Sequence, residues 1–185
     1  MTEINAFPNT DSPNPAESVK PAPGSREFVI TGIFDAPRDL VFRAWTEQEH
    51  LSHWFGPKGF TIPVSFLNLI PGGAFHYCMR ATNGTEMWGK WTFREIVSPD
   101  RIDFVNTFSN KHGNLTRHPY VPKWPLEILT TATFTELEGM TIVKIAWLPI
   151  NATAAERTTF DEMHEAMTEG WTGTFDQLRT YLTTL

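Results

Sequence analysis

Apolar side chains recur at every second position over several short stretches of this chain. Phe28, Ile30 and Phe34 do so across 26–34, with Gly32 between them. Such alternation marks a strand with one buried face. The same reading applies to 74–81, where Phe75, Tyr77 and Met79 oppose His76, Cys78 and Arg80. It applies again to 87–97, with Trp91 and Phe93 on one face, and to 101–108, with Ile102, Phe104 and Phe108. Residues 60–69 read as a further strand broken by Pro63, and 126–137 and 140–148 as a pair joined by Glu138-Gly139, with Pro149 stopping the second. Glycine and proline clusters at Pro71-Gly72-Gly73, Thr82-Asn83-Gly84 and Ser98-Pro99-Asp100 supply the turns between them.

Two regions carry the helical period instead. After Asp35-Ala36-Pro37, with proline suited to the first helical position, Leu40, Val41, Ala44 and Trp45 share one face. Thr46-Glu47-Gln48-Glu49 then reads as a capping box, opening a second short helix that runs to about Trp54 and ends at Phe55-Gly56-Pro57-Lys58-Gly59. Beyond Pro149, Asn151 or Thr153 is placed to cap one long helix reaching the C-terminus. Its stripe of Phe160, Met163, Met167, Trp171, Phe175, Leu178 and Leu182 advances in steps of three and four. Glu156, Asp161, Glu162, Glu165, Glu169 and Asp176 mostly avoid that stripe and mark its wet side. A polar segment, 109–125, separates two of the strands and is long enough to suggest a functional or mobile loop.

The order is therefore strand, two short helices, about six strands and one long helix. No crossover helix lies between strand pairs, so the class is α+β with a mainly antiparallel sheet. One amphipathic helix must cover one sheet face, and the twist of a large sheet curls it around that helix.

Composition narrows the functional classes. The 185 residues are 41% hydrophobic and 19% charged, which suits one globular domain with a short extra segment. No apolar run reaches the roughly 18 residues of a membrane span. A net charge of −6 argues against a nucleic-acid partner. One cysteine, Cys78, rules out an intramolecular disulfide and all but rules out a cysteine-based zinc site; opposite Phe75 and Tyr77, it reads as a buried structural thiol. Residues 1–24 hold five of the 14 prolines and read as a disordered tail with Phe7 as its one docking anchor, leaving 25–185 as the domain. The tail lacks the basic start and apolar core of a secretory signal, so the expected location is cytoplasmic.

The stretch FDAPRDLVFRAWTEQEHLSHWFGPKGF resembles the signature of the SRPBCC superfamily, also called START-like or Bet v 1-like. It is most similar to the subgroup named for the C-terminal domain of the activator of Hsp90 ATPase. PGGAFHYCMR, GKWTFREIVSPDRIDF, TTATFTELEGMTIVKI and EGWTGTFDQLRTYL follow in the same order, so the resemblance spans about 26–185. It implies a helix-grip fold: a curved antiparallel sheet wrapped around the C-terminal helix, with two short helices after the first strand. Many relatives carry arginine where this chain has Gly32, and no role of that arginine transfers. Because the superfamily includes lipid carriers, cyclases, hormone receptors and a co-chaperone domain, fold alone does not choose among them.

The aromatic content, 13% of the chain, fits either a thick core or a core with an aromatic-lined hollow between sheet and long helix, and composition alone does not separate the two. Strand alternation assigns its lining to Phe75, Tyr77, Met79, Trp91, Phe93, Phe104, Phe108, Phe134 and Trp147. Met163, Met167 and Trp171 face them from the helix, and Trp54 stands near one end. Tyr77, Asn106 and Glu127 are the polar groups expected to point inward or toward the mouth. The expected function is binding of a small hydrophobic or aromatic molecule. The alternatives are a co-chaperone-like module acting on an Hsp90-type ATPase, which the subgroup name alone suggests, and a polyketide-cyclase-like enzyme, for which His76, Tyr77, Glu95 or Glu127 would move protons. No catalytic constellation, cofactor or metal is assigned. His50 and His53 share a helix face beside Glu49, but no third ligand is placed by sequence, and they read as surface histidines. Exposed edge strands leave room for a homodimer.

Overall fold

The computed structural model describes residues 26–185; the expected tail and Phe7 lie outside them. Strand β1 (Phe28–Phe34) leads into helices α1 (Arg38–Thr46) and α2 (Gln48–Trp54). Six strands follow: β2 (Phe60–Leu67), β3 (Ala74–Ala81), β4 (Glu86–Val97), β5 (Arg101–Ser109), β6 (Glu127–Leu137) and β7 (Met140–Ile150). Helices α3 (Ala154–Glu162) and α4 (His164–Leu182) complete the chain.

The sheet is antiparallel throughout, in the order β1-β7-β6-β5-β4-β3-β2. It is a meander from β2 to β7, with β1 returning to pair along β7. The β6–β7 turn has positive φ at both Glu138 and Gly139, the geometry whose twist matches the flanking strands. Register shifts between Thr61 and Val64 and between Phe93 and Glu95 mark irregularities that bend β2 and β4. The curled sheet grips α4, whose buried face is Met167, Trp171, Thr174, Phe175, Leu178 and Leu182. This is the α+β helix-grip architecture.

Both edges are partly occupied by side chains. The Gln48 carboxamide donates to the Ser65 carbonyl at 3.1 Å and accepts from the Leu67 N–H at 3.0 Å, standing in for a partner strand along β2. Arg179 donates to the Ile33 carbonyl at the other edge.

Four local expectations need correction. Thr46 does not cap α2: it is the last residue of α1, and its hydroxyl donates to the Phe42 carbonyl at 2.8 Å, so Glu47 takes the cap position with no side-chain bond. Pro37 sits one residue before α1, where its carbonyl accepts from Leu40 and Val41. Pro149 lies within β7, opposite Ile128; β1 pairs with β7 only as far as Trp147, so the missing N–H deprives no strand on that side. The long C-terminal helix is two helices. Thr153 and Glu156 form a full capping box for α3, and the chain turns at Met163, whose N–H is shared between the Thr159 and Phe160 carbonyls. That turn seats Phe160 against Trp124 (ring centroids 5.6 Å apart) while α4 lies on the sheet.

The 110–126 segment is tied down. Trp124 is buried, and Arg117 donates to Glu156 at 2.8 Å. Both Tyr120 and Val121 donate their backbone N–H to Nδ1 of His118.

Candidate functional site

Helix α1 determines how much of the concave face is filled. Its Trp45 is completely buried and meets Trp54 at 5.0 Å, Phe134 at 5.7 Å, Trp171 at 6.0 Å and Trp91 at 6.2 Å between ring centroids. Phe42 adds a contact to Phe134 at 5.2 Å. These rings pack as offset and edge-to-face pairs. They bury Phe134 beneath α1.

Space remains elsewhere on the concave face. A partly open hollow of about 170 Å³ lies between β3–β5, β7 and the N-terminal half of α4. From the sheet it is bordered by Tyr77, Met79, Trp91, Phe104, Asn106, Thr107, Phe108 and Trp147. Met167, Gly170, Trp171 and Thr174 border it from α4, and Phe55, Gly56 and Pro57 from the loop after α2. The Gln177 carboxamide donates to the Trp54 and Gly56 carbonyls and so fixes that loop against α4.

Eight of the residues assigned to the lining from sequence therefore border the hollow: Tyr77, Met79, Trp91, Phe104, Phe108, Trp147, Met167 and Trp171. Five are elsewhere. Trp54 is buried between α1 and α2, its indole N–H held by the Ala44 carbonyl at 2.9 Å. Phe75 lies behind Phe55, ring centroids 5.9 Å apart. Phe93 is buried against Phe104, and Phe134 under Phe42 and Trp45. Met163 forms the turn between α3 and α4. Alternation identifies an inward face but cannot say which part of it another element covers.

Phe55, Gly56, Pro57, Thr107, Gly170 and Thr174 were not foreseen. For Gly170 a signal was present: an interior helical glycine costs about 1 kcal/mol against alanine, and nothing lies within 4 Å of where its Cβ would stand.

The hollow is lined without a single charged side chain. Its polar side chains are few. The Thr174 hydroxyl is taken by the Gly170 carbonyl at 2.9 Å, and that of Thr107 by the Lys90 carbonyl. Burial pushes the Tyr77 phenol well above the usual range, so it stays protonated. Gly89, opposite Tyr77 on β4, leaves room for that hydroxyl: a Cβ there would collide with it. Asn106 is half-buried, and its carboxamide makes no hydrogen bond to any described residue.

The other sequence candidates stand outside. Glu127 accepts from Asn151 at 2.9 Å. His76 is on the outer face, tilted against Trp88 with its ring nitrogen 3.1 Å from the Asn110 carbonyl. Glu95 pairs with Arg101. His50 contacts the Tyr181 hydroxyl at 2.8 Å and is largely covered, which corrects its reading as a surface residue; His53 is exposed and stacks on Tyr181. Among the described residues no group of three His, Cys, Asp or Glu is arranged to hold a metal. Cys78 is fully buried, and that burial pushes its thiol up. No described helix is long and apolar enough to cross a membrane.

Solved structures share this fold. A crystal structure from Mycobacterium smegmatis matches at 23% identity with a TM-score of 0.71, covering 91% of this chain and 97% of the other. A solution structure from Arthrobacter aurescens matches at 26% identity and a TM-score of 0.71, covering 91% and 92%. A crystal structure described as the AHSA1 protein of Silicibacter pomeroyi matches at 16% identity and a TM-score of 0.67, covering 86% and 99%. The comparison with curated proteins produced no match. The family model described as "Activator of Hsp90 ATPase homolog 1-like protein" matches residues 35–183. That span takes in both short helices, strands β2–β7 and both C-terminal helices, and on it the chain belongs to the Activator of Hsp90 ATPase homolog 1-like family, within the SRPBCC superfamily.

Proposed function

We propose that this protein binds a small hydrophobic or aromatic molecule in the hollow between its sheet and α4. The observation that carries the reading is the uncharged, aromatic-lined space of about 170 Å³ between the sheet and α4. Apolar space of that size gains little from water, which needs several polar partners, and an apolar cavity of about 150 Å³ is enough to hold benzene. Ligand sites are concave and mainly apolar, with a few placed polar groups; Tyr77 and Asn106 supply those groups here. Met79 and Met167 add flexible walls that adapt to ligand shape.

Binding to the folded state alone raises stability by mass action, about 2.7 kcal/mol at a hundredfold excess over Kd. Thermal unfolding with a panel of small hydrophobic molecules should therefore show a concentration-dependent rise in Tm. Fluorescence of Trp91, Trp147 and Trp171 at the hollow should change in parallel. A panel that moves neither signal removes the proposal.

A further inference from the structure

The shape and chemistry of the hollow restrict what can occupy it. At about 170 Å³ it is well below the roughly 300–1,000 Å³ of sites that take drug-sized molecules. It suits one six-membered ring with a short substituent. A charged substituent would lose its hydration and find no counter-charge, since no ionic side chain borders the space.

A purely apolar ring fits less well than a polar one. The Asn106 carboxamide has no partner among the described residues and is half-exposed to the hollow. A ring without polar atoms would strip its water and return nothing, at a cost of about 1–3 kcal/mol for an unpaired amide. Tyr77 narrows the match further. Burial keeps its phenol protonated, so the hydroxyl that borders the hollow has a proton to donate, and Gly89 opposite leaves space for it. Asn106 follows Phe104 and precedes Phe108 on the same inward face of β5, and Phe108 pairs with Gly89. Both polar side chains border the hollow, from neighbouring rows of the sheet.

The geometry points to an uncharged one-ring molecule bearing a hydrogen-bond acceptor, a small amide, ketone or phenol, with its oxygen held by the Tyr77 hydroxyl and the Asn106 carboxamide. This rests on the binding reading above and adds the class of ligand.

The test compares four probes, toluene, benzamide, benzoate and 2-naphthamide, on the full chain and on the variants Tyr77→Phe and Asn106→Leu. Affinities are read by titration of backbone amide NMR shifts. The expected order places benzamide first, with toluene about tenfold weaker and benzoate and 2-naphthamide weaker still. In each variant the benzamide-to-toluene ratio should fall by about threefold to tenfold, the loss expected of one hydrogen bond. Toluene binding should persist, which also shows that the variant is folded. Benzamide binding no tighter than toluene, a ratio unchanged in both variants, or tighter binding of benzoate or 2-naphthamide would overturn this ligand class while leaving the binding function standing. Failure of every probe, toluene included, would overturn both.

Discussion

Gly170 offers the most direct check on the space beside α4. It lies in the middle of the helix, borders the hollow, and has nothing within 4 Å of the position a Cβ would take. Alanine there should recover the helical propensity lost to glycine, about 0.8–1.0 kcal/mol. The added methyl should gain part of the roughly 0.8 kcal/mol expected for burying one carbon, because the hollow is partly open. Gly170→Ala is therefore expected to stabilise the protein by about 1–1.5 kcal/mol, or about 2–6 °C in Tm for a chain of this size. The assay is urea denaturation followed by tryptophan fluorescence, where the midpoint should rise with the slope unchanged.

Gly173 supplies the control. Its Cβ would sit 3.7 Å from the Lys58 backbone nitrogen, an ordinary contact, and it does not border the hollow. Gly173→Ala should gain the propensity alone, about 1 kcal/mol, and leave probe affinity unchanged. Gly170→Ala should weaken probe binding because it takes volume from the site. A Gly170→Ala protein less stable than the parent, with Gly173→Ala more stable, would refute the reasoning: the position would then be filled by a neighbour.

Trp45→Ala should cost near the top of the 3–5 kcal/mol range for a buried aromatic, because four ring contacts close around it. Trp171→Ala should cost less, near 3 kcal/mol, since one side of the ring already borders space, and it should reduce probe affinity; equilibrium denaturation ranks the two. His118 and His164 are both held below the ordinary histidine value of 6.5, with burial the leading cause. The unfolded chain takes up those protons first, so stability should be full above pH 6.5 and fall as pH drops through the folded values; denaturation curves at successive pH values from neutral to acid follow it. Glu156 accepts from Arg117 and from Thr153, and these bonds hold its carboxyl below the usual range. Glu156→Ala should cost about 1–2 kcal/mol, mainly through the lost cap because Arg117 is half-exposed, and should speed proteolysis within 110–126.

Residues whose neighbours in sequence decide their fate were legible before the structure. The alternation through Phe75, Tyr77 and Met79, or through Trp91 and Phe93, reports a sheet face because a strand's period is two whatever it packs on. The stripe from Phe160 to Leu182 likewise reports a buried helix face. The same stripe could not report the turn at Met163, because its steps of three and four continue unbroken across it. Thr46 shows a similar limit. A threonine three residues before a glutamate satisfies the pattern of a cap, but α1 runs one residue further and claims the hydroxyl for Phe42. Which inward residues border space depended on Trp45, a residue of α1 that meets β4, β6 and α4 at once. No local pattern encodes that meeting, so Phe134 and Phe93 read the same as Phe104 and Trp147.

The position of the hollow along α4 follows from one exchange of volume. Gly32 on β1 stands under Phe175, and a Cβ on it would come within 2.7 Å of that ring. Phe175 also meets Phe34 edge-on at 5.4 Å, and the Arg179 guanidinium lies 5.3 Å from the Phe34 ring centre. The large residue of the helix thus occupies what a strand side chain would otherwise fill, and this end of the grip is closed. One turn back along α4 the pairing reverses. Gly170 contributes nothing, and the sheet opposite presents Trp91, Phe104, Asn106 and Phe108 to space that no helix residue enters. The same helix is therefore a plug at Phe175 and a wall at Gly170. No side chain at position 32 could coexist with Phe175 in this seat, so Gly32 and the helix residue above it fit as a pair. Glycine in the strand closes one end of the hollow, and glycine in the helix opens the other.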